Sequence, residues 1–249
     1  MIQDIHSHTY YSFCGRDKPE TIVEAAIEGK IEMLGICDHN YGIAHGRKTV
    51  YKSTSEELFE DYERTLKRYY DHISLIKEKY ARKIKILCGI EIATLTSQNP
   101  RLYLPDLVDI SFFDYCLLEH ISCIGNTCTN GDIFSYAKRC GCPVGIAHTD
   151  LFGYIETIGE NSYDFLSRMA EYGIFWEMNV NYDSIHKYNE HEYVKRFFAS
   201  EEQQQIVKRS GVKLSVGFDG HRIEDYLPQR VADACKKIEE IGIPLAFAE

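Results

Sequence analysis

Six short apolar runs in this chain end in a histidine or a carboxylate, and that repetition narrows what the chain can fold into. The run at residues 2–6 passes through Asp4 to His6, with Ser7-His8 directly after. The run at 33–37 meets Asp38-His39, and the run at 85–92 holds Glu91 within Gly89-Ile90-Glu91-Ile92. Residues 115–118 meet Glu119-His120, residues 144–147 meet His148, and residues 213–218 meet Asp219-Gly220-His221. A seventh run, 174–180, carries Trp176, Glu177 and Asn179. Runs this short, bounded by turn residues, read as buried strands.

Amphipathic stretches lie between them. Asp17-Lys18-Pro19-Glu20 supplies an N-cap, a proline near the first helical position and a Glu three residues on. That starts a helix through Ile22, Val23, Ala26 and Ile27, which Gly29 ends. Residues 53–80 form the longest helical pattern, with Leu58, Tyr62, Leu66, Tyr69, Ile73 and Ile76 spaced by three and four. Further helices are expected near 133–139, 163–172 and 229–241, and one is capped by Ser200 and stopped by Gly211. About seven βα units without a linker predict a parallel sheet, closed or doubly wound. The length of 249 residues suits one α/β barrel, so a single domain over 1–249 is expected.

A net charge of −10 argues against a standing affinity for nucleic acid or anionic membranes. No apolar run approaches a membrane span, and Met1-Ile2-Gln3-Asp4 does not read as a secretory leader. Nine cysteines is an odd number, and Cys37, Cys88 and Cys116 lie in strands. Buried free thiols in a reducing cytoplasm fit that pattern. Cys140-Gly141-Cys142 and the Cys123, Cys128 pair match no common zinc-finger spacing.

Residues at i and i+2 of a strand share a face, so His6 converges with His8 and Asp219 with His221. In a barrel the first and last strands are neighbours, so both pairs meet at one rim. His39, Glu91, His120 and His148 reach that rim from intervening strands. Imidazoles beside carboxylates suit zinc, iron or manganese. Asp38 precedes a candidate ligand and is expected to support it from behind. Glu177 and Asn179 are expected to line the pocket, and Trp176 to pack in the core or at its rim.

The ordered motifs Asp4-Ile5-His6-Ser7-His8, Cys37-Asp38-His39-Asn40, Cys88-Gly89-Ile90-Glu91-Ile92, Leu118-Glu119-His120-Ile121-Ser122, Ile146-Ala147-His148-Thr149-Asp150 and Gly217-Phe218-Asp219-Gly220-His221 resemble those of the PHP (polymerase and histidinol phosphatase) family. The resemblance implies a distorted (β/α)7 TIM-like barrel with two or three divalent metals (zinc, iron or manganese) at the strand C-termini. It implies a first metal on His6, His8, Glu91 and Asp219 and a second on His39 and His221. A third would take His120 and His148, with Glu91 bridging. Trinuclear members usually carry a histidine six residues after the second His of the first motif; here that position is Cys14, and a thiolate is also a competent zinc ligand. The segment from His39 to Glu91 is similar to the histidinol-phosphatase branch, while the one from His120 to His148 is shorter than in that branch.

The activity so implied is that of a cytoplasmic metal-dependent phosphatase acting on a small phosphate monoester. Asp219 and His221 would stand at the reacting water and Arg16 would clamp the phosphate, with Arg47 and Lys48 as further clamps. Two alternatives are an amidohydrolase barrel, which also begins with His-x-His, and a non-catalytic binding module. Against the first, Glu91 takes the place of the bridging lysine carbamate such barrels often use. The sequence gives no oligomeric state.

Overall fold

The computed structural model describes residues 1–49, 55–97 and 102–248; the side chains of 45–61 and 63 also lie outside the described residues. Seven strands run parallel in sequence order: β1 (Gln3–Ser7), β2 (Met33–His39), β3 (Lys85–Ala93), β4 (Tyr115–Glu119), β5 (Val144–Ile146), β6 (Phe175–Asn179) and β7 (Leu214–Gly217). A parallel bridge between Ser7 and Gly220 brings the last strand back to the first, giving a nearly closed barrel. The backbone N–H of Asp219 donates to His6 O (2.7 Å), and that of His8 donates to Gly220 O (2.8 Å). The Asp4 carboxylate reinforces this seam by accepting from Phe218 N (2.9 Å) and the Tyr226 hydroxyl (2.8 Å).

Around the sheet lie α1 (Pro19–Glu28), α2 (Asn40–Thr49), α3 (Ser55–Tyr80), α4 (Ile133–Cys140), α5 (Leu151–Thr157), α6 (Ser162–Glu171), α7 (Glu192–Ala199), α8 (Glu201–Ser210) and α9 (Pro228–Ile241). The expected start of the long helix at 53–54 lies outside the described residues. Asp17 does not cap α1. Pro19 takes the first helical position, leaving Lys18 as the flanking residue without a side-chain cap, and Asp17 Oδ2 accepts from Ile223 N instead (2.8 Å). Helices α2, α5 and α7 were not expected from periodicity. Among the described residues no helix is long and apolar enough to cross a membrane.

Among the described residues, two main apolar cores form, with a small third cluster of Tyr41 and Ala93. The larger lies between sheet and helices and includes Trp176, whose indole N–H donates to Thr149 O (2.9 Å). The smaller fills the barrel with Ile5, Met33, Leu87, Tyr115, Leu117 and Phe175. Tyr115 crosses the barrel and donates its hydroxyl to Ile5 O. It fits because Gly35 and Gly89 lack side chains; a Cβ at either would collide with the Tyr115 side chain. This apolar layer is the floor beneath the polar end of the barrel.

Candidate metal centre

Strict alternation along β1 would turn Ile5 and His6 to opposite faces. The β1–β2 register instead shifts between Asp4, paired with Leu34, and Ser7, paired with Ile36. The extra residue resets the alternation, as a β-bulge does. Ile5 stays in the inner core while His6 and His8 turn into the barrel mouth, where their Nε2 atoms lie 3.2 Å apart. Beside them, β2 and β3 pair His39 directly with Glu91. Glu91 Oε2 stands 2.9 Å from His39 Nδ1, 3.3 Å from His8 Nε2 and 3.4 Å from His6 Nε2. Glu91 Oε1 lies 2.9 Å from His148 Nε2. Asp219 Oδ1 reaches His8 Nε2 at 3.0 Å and His6 Nε2 at 3.6 Å.

The loop after β1 carries Cys14 to the same place. Asp38 fixes that loop by accepting from Thr9 N (2.7 Å), Ser12 N (3.0 Å) and the Thr9 hydroxyl (2.8 Å). Ser12 Oγ accepts from His39 N (2.9 Å) and lies 3.2 Å from His8 Nδ1. Ligand atoms of His8, Cys14, His39 and His221 then all lie within 4.8 Å of one another.

Other expected residues stand apart. Like His148 and Asp219, His120 belongs to none of the candidate ligand clusters found among the described residues. Its side chain is 39% exposed, with Nδ1 3.0 Å from Glu119 Oε2. Glu119 itself is buried and clusters with His39 and Glu91. The Arg16 side chain is exposed at the rim, where its backbone N–H donates to His221 O (3.2 Å). The side chains of Arg47 and Lys48 fall outside the described residues.

Residues behind the centre orient it. Glu177 Oε1 lies 2.7 Å from His6 Nδ1, and Glu177 Oε2 accepts from His148 N (2.7 Å) and Asn179 Nδ2 (3.3 Å). A carboxylate on one imidazole nitrogen aims the other nitrogen forward. Asp183 and His186, neither singled out in the sequence, form a further cluster with His221. His120, His148 and Asp219 all have positive φ (64°, 25° and 56°) although none is glycine. Such backbone is costly and concentrates where side chains must be aimed.

The donor set fits divalent cations. His39 Nδ1, Glu91 Oε2 and Glu119 Oε1 are buried without a hydrogen-bond partner, which a cation bound among them would relieve. Burial opposes ionisation of Glu91 and Asp219, yet the surrounding imidazoles hold both well below the usual carboxylate range. Burial also opposes charge on the histidines, but Glu91 lifts His148 to about 9 and Asp219 lifts His221 to about 10. His6 and His39 are raised as well, by Glu177 and Glu91 respectively against their burial. His8 is pushed down to about 3 by burial and by His221 and His39.

With their pKa values raised to about 9 and 10, His148 and His221 favour the protonated form at pH 7, and a metal that took either as a ligand would displace that proton, because only neutral imidazole ligates. Metal uptake should therefore release protons at pH 7. Affinity should climb by about tenfold per pH unit for each displaced proton, until pH passes 9–10. Titration of metal into weakly buffered, chelator-stripped protein measures this; uptake with no proton release and no pH dependence would contradict it.

A sequence profile of the PHP domain matches residues 4–242. No curated protein matches the chain in sequence. Among solved structures, the chain is similar to a histidinol phosphate phosphatase from Lactococcus lactis subsp. lactis, solved with zinc, L-histidinol and phosphate. The identity is 17% and the TM-score 0.60, over 98% of this chain and 95% of that one. A proposed histidinol phosphatase from Listeria monocytogenes is 15% identical with a TM-score of 0.48, over 90% and 96% of the two chains. At these identities the likeness concerns the fold alone, whereas the profile spans nearly the whole chain with its ordered motifs: the chain belongs to the PHP domain family.

Proposed function

We propose that this chain is a metal-dependent phosphoesterase that hydrolyses a small phosphate monoester. One observation carries the reading: Glu91 Oε2 lies within 3.4 Å of nitrogens from three histidines on two strands and the turn between them. That crowding has little structural use unless a cation is shared. His6, His8, Glu91 and Asp219 would hold one ion, and His39, His221 and Cys14 a second; Glu91 and His148 would contribute to a third if one binds. Zinc, iron or manganese bound there would supply Lewis acidity toward the phosphoryl oxygens and lower the pKa of water.

The chain's own residues do the rest. Asp219 turns Oδ1 toward His8 and leaves Oδ2 3.5 Å from Asn179 Nδ2, so one carboxylate can orient water in line with phosphorus. Arg16, at the rim beside His221, would hold the phosphate through its guanidinium. The enclosed centre and exposed rim suit a small ester whose organic part stays outside.

The test is chelator-stripped full-length chain reconstituted with zinc, iron(II) or manganese. It is screened on an aryl phosphate, histidinol phosphate and nucleoside monophosphates, with a phosphodiester and a single-stranded 3′ end as comparisons. Metal-dependent turnover of a monoester is expected; failure of every metal on every monoester would overturn the proposal. On the best substrate, Arg16→Ala should raise KM several-fold or more with little change in kcat. An unchanged KM would return Arg16 to the ordinary surface.

A further inference from the structure

His221 belongs to two clusters, one with His8, Cys14 and His39 and one with Asp183 and His186. An imidazole has one nitrogen for each. His221 Nδ1 faces Asp183 Oδ2 at 3.5 Å, and both atoms are buried without any other hydrogen-bond partner. That leaves Nε2 for the Cys14 side. Asp183 is 1% exposed and is itself held in place. Its Oδ1 accepts from His186 N (2.8 Å) and lies 2.7 Å from His186 Nδ1, while its carbonyl accepts from Tyr188 N (2.7 Å). The next residue, Ser184, donates from its backbone N–H (3.2 Å) and its hydroxyl (2.5 Å) to Asp225. Lys187 and Tyr188 keep left-handed φ angles of 56° and 55°, a conformation the loop maintains at a cost.

From this geometry we infer that Asp183 is the positioning residue of the second metal: its carboxylate takes the Nδ1 proton of His221 and so presents Nε2 to the metal shared with His39 and Cys14. The inference rests on the metal-centre reading above. It assigns a role to the loop between β6 and α7, which carries none of the ligands the sequence motifs mark. A cation on Nε2 would make Nδ1–H a stronger donor toward Asp183. The other imidazole on this carboxylate, His186, has Nε2 3.9 Å from Asp219 Oδ2.

Two measurements test the assignment. In Asp183→Asn, loaded with zinc and titrated with a competing chelator, one metal equivalent should bind about 10–100-fold more weakly while the others are unchanged. Asp183→Glu, which restores a carboxylate, should recover part of the loss. In zinc-loaded wild-type protein labelled with nitrogen-15 histidine, the ring correlations of His221 should show a proton on Nδ1 and metal on Nε2. This second arm needs no variant to fold. Unchanged zinc affinity in Asp183→Asn, or zinc on Nδ1 of His221, overturns the inference. Zinc uptake of the expected kind without ester hydrolysis would sink the phosphoesterase proposal and leave Asp183 in place. Wild-type protein that takes up no zinc would sink both.

Discussion

If the proposed phosphoesterase activity is present, Asp219→Ala or His8→Ala should abolish it while the chain keeps its fold. Removing one preorganised group that stabilises developing charge costs about 10²–10³ in turnover. Asp219→Ala removes more than that, because the same carboxylate touches His8 and His6 and supplies the orienting oxygen beside Asn179. The fold should survive, since the seam contact at this position is made by the backbone: Asp219 N donates to His6 O whatever the side chain. Far-ultraviolet circular dichroism with single-turnover kinetics on reconstituted protein separates the two effects. A folded variant with wild-type turnover would mean that the water is activated elsewhere.

Cys14→Ser should weaken one metal, on the order of 100-fold, and Cys14→His should restore or strengthen it. The thiol is half-buried, and burial raises its pKa, but contacts with His221 and His39 outweigh this and bring it down even without metal. Beside a divalent cation it would bind as thiolate. X-ray absorption of the zinc-loaded chain should then contain a sulfur at about 2.3 Å among nitrogens at about 2.0–2.1 Å. Cys14→Ser should erase that distance. A spectrum without sulfur, together with unchanged metal affinity in Cys14→Ser, would make Cys14 a packing residue.

Strand ends were the most legible part of the sequence because apolar runs and chemistry coincide there. All seven expected strands exist; His6, His8, His39, Glu91 and His221 fall into overlapping clusters, and Asp219 Oδ1 lies 3.0 Å from His8 Nε2. Glu119 was within reach of the same reasoning. Leu117 faces the inner core, so period two places Glu119 on its side and turns His120 away. The bulge in β1 was not legible, since nothing in Asp4-Ile5-His6 announces an extra residue. Asp183 and His186 were hidden for another reason: their loop has no periodicity, and its conformation is set by Asp225 from a distant part of the chain. Helix α5 is too brief to show a stripe, while α2 begins directly at the end of β2 and α7 runs into α8 with only Ser200 between, so neither is set off by a turn; contacts with the sheet and other helices support them.

The seam between β1 and β7 sets a schedule for the molecule during its synthesis. A nascent chain that has emerged only through β6 already contains His6, His8, Cys14, His39 and Glu91. It lacks both Asp219 and His221 and the strand whose backbone receives β1. Pairing between the two ends of a chain is the contact with the largest loop to close, so it forms late. The two halves of the candidate site therefore meet only after β7 has been made and the Ser7–Gly220 seam has closed.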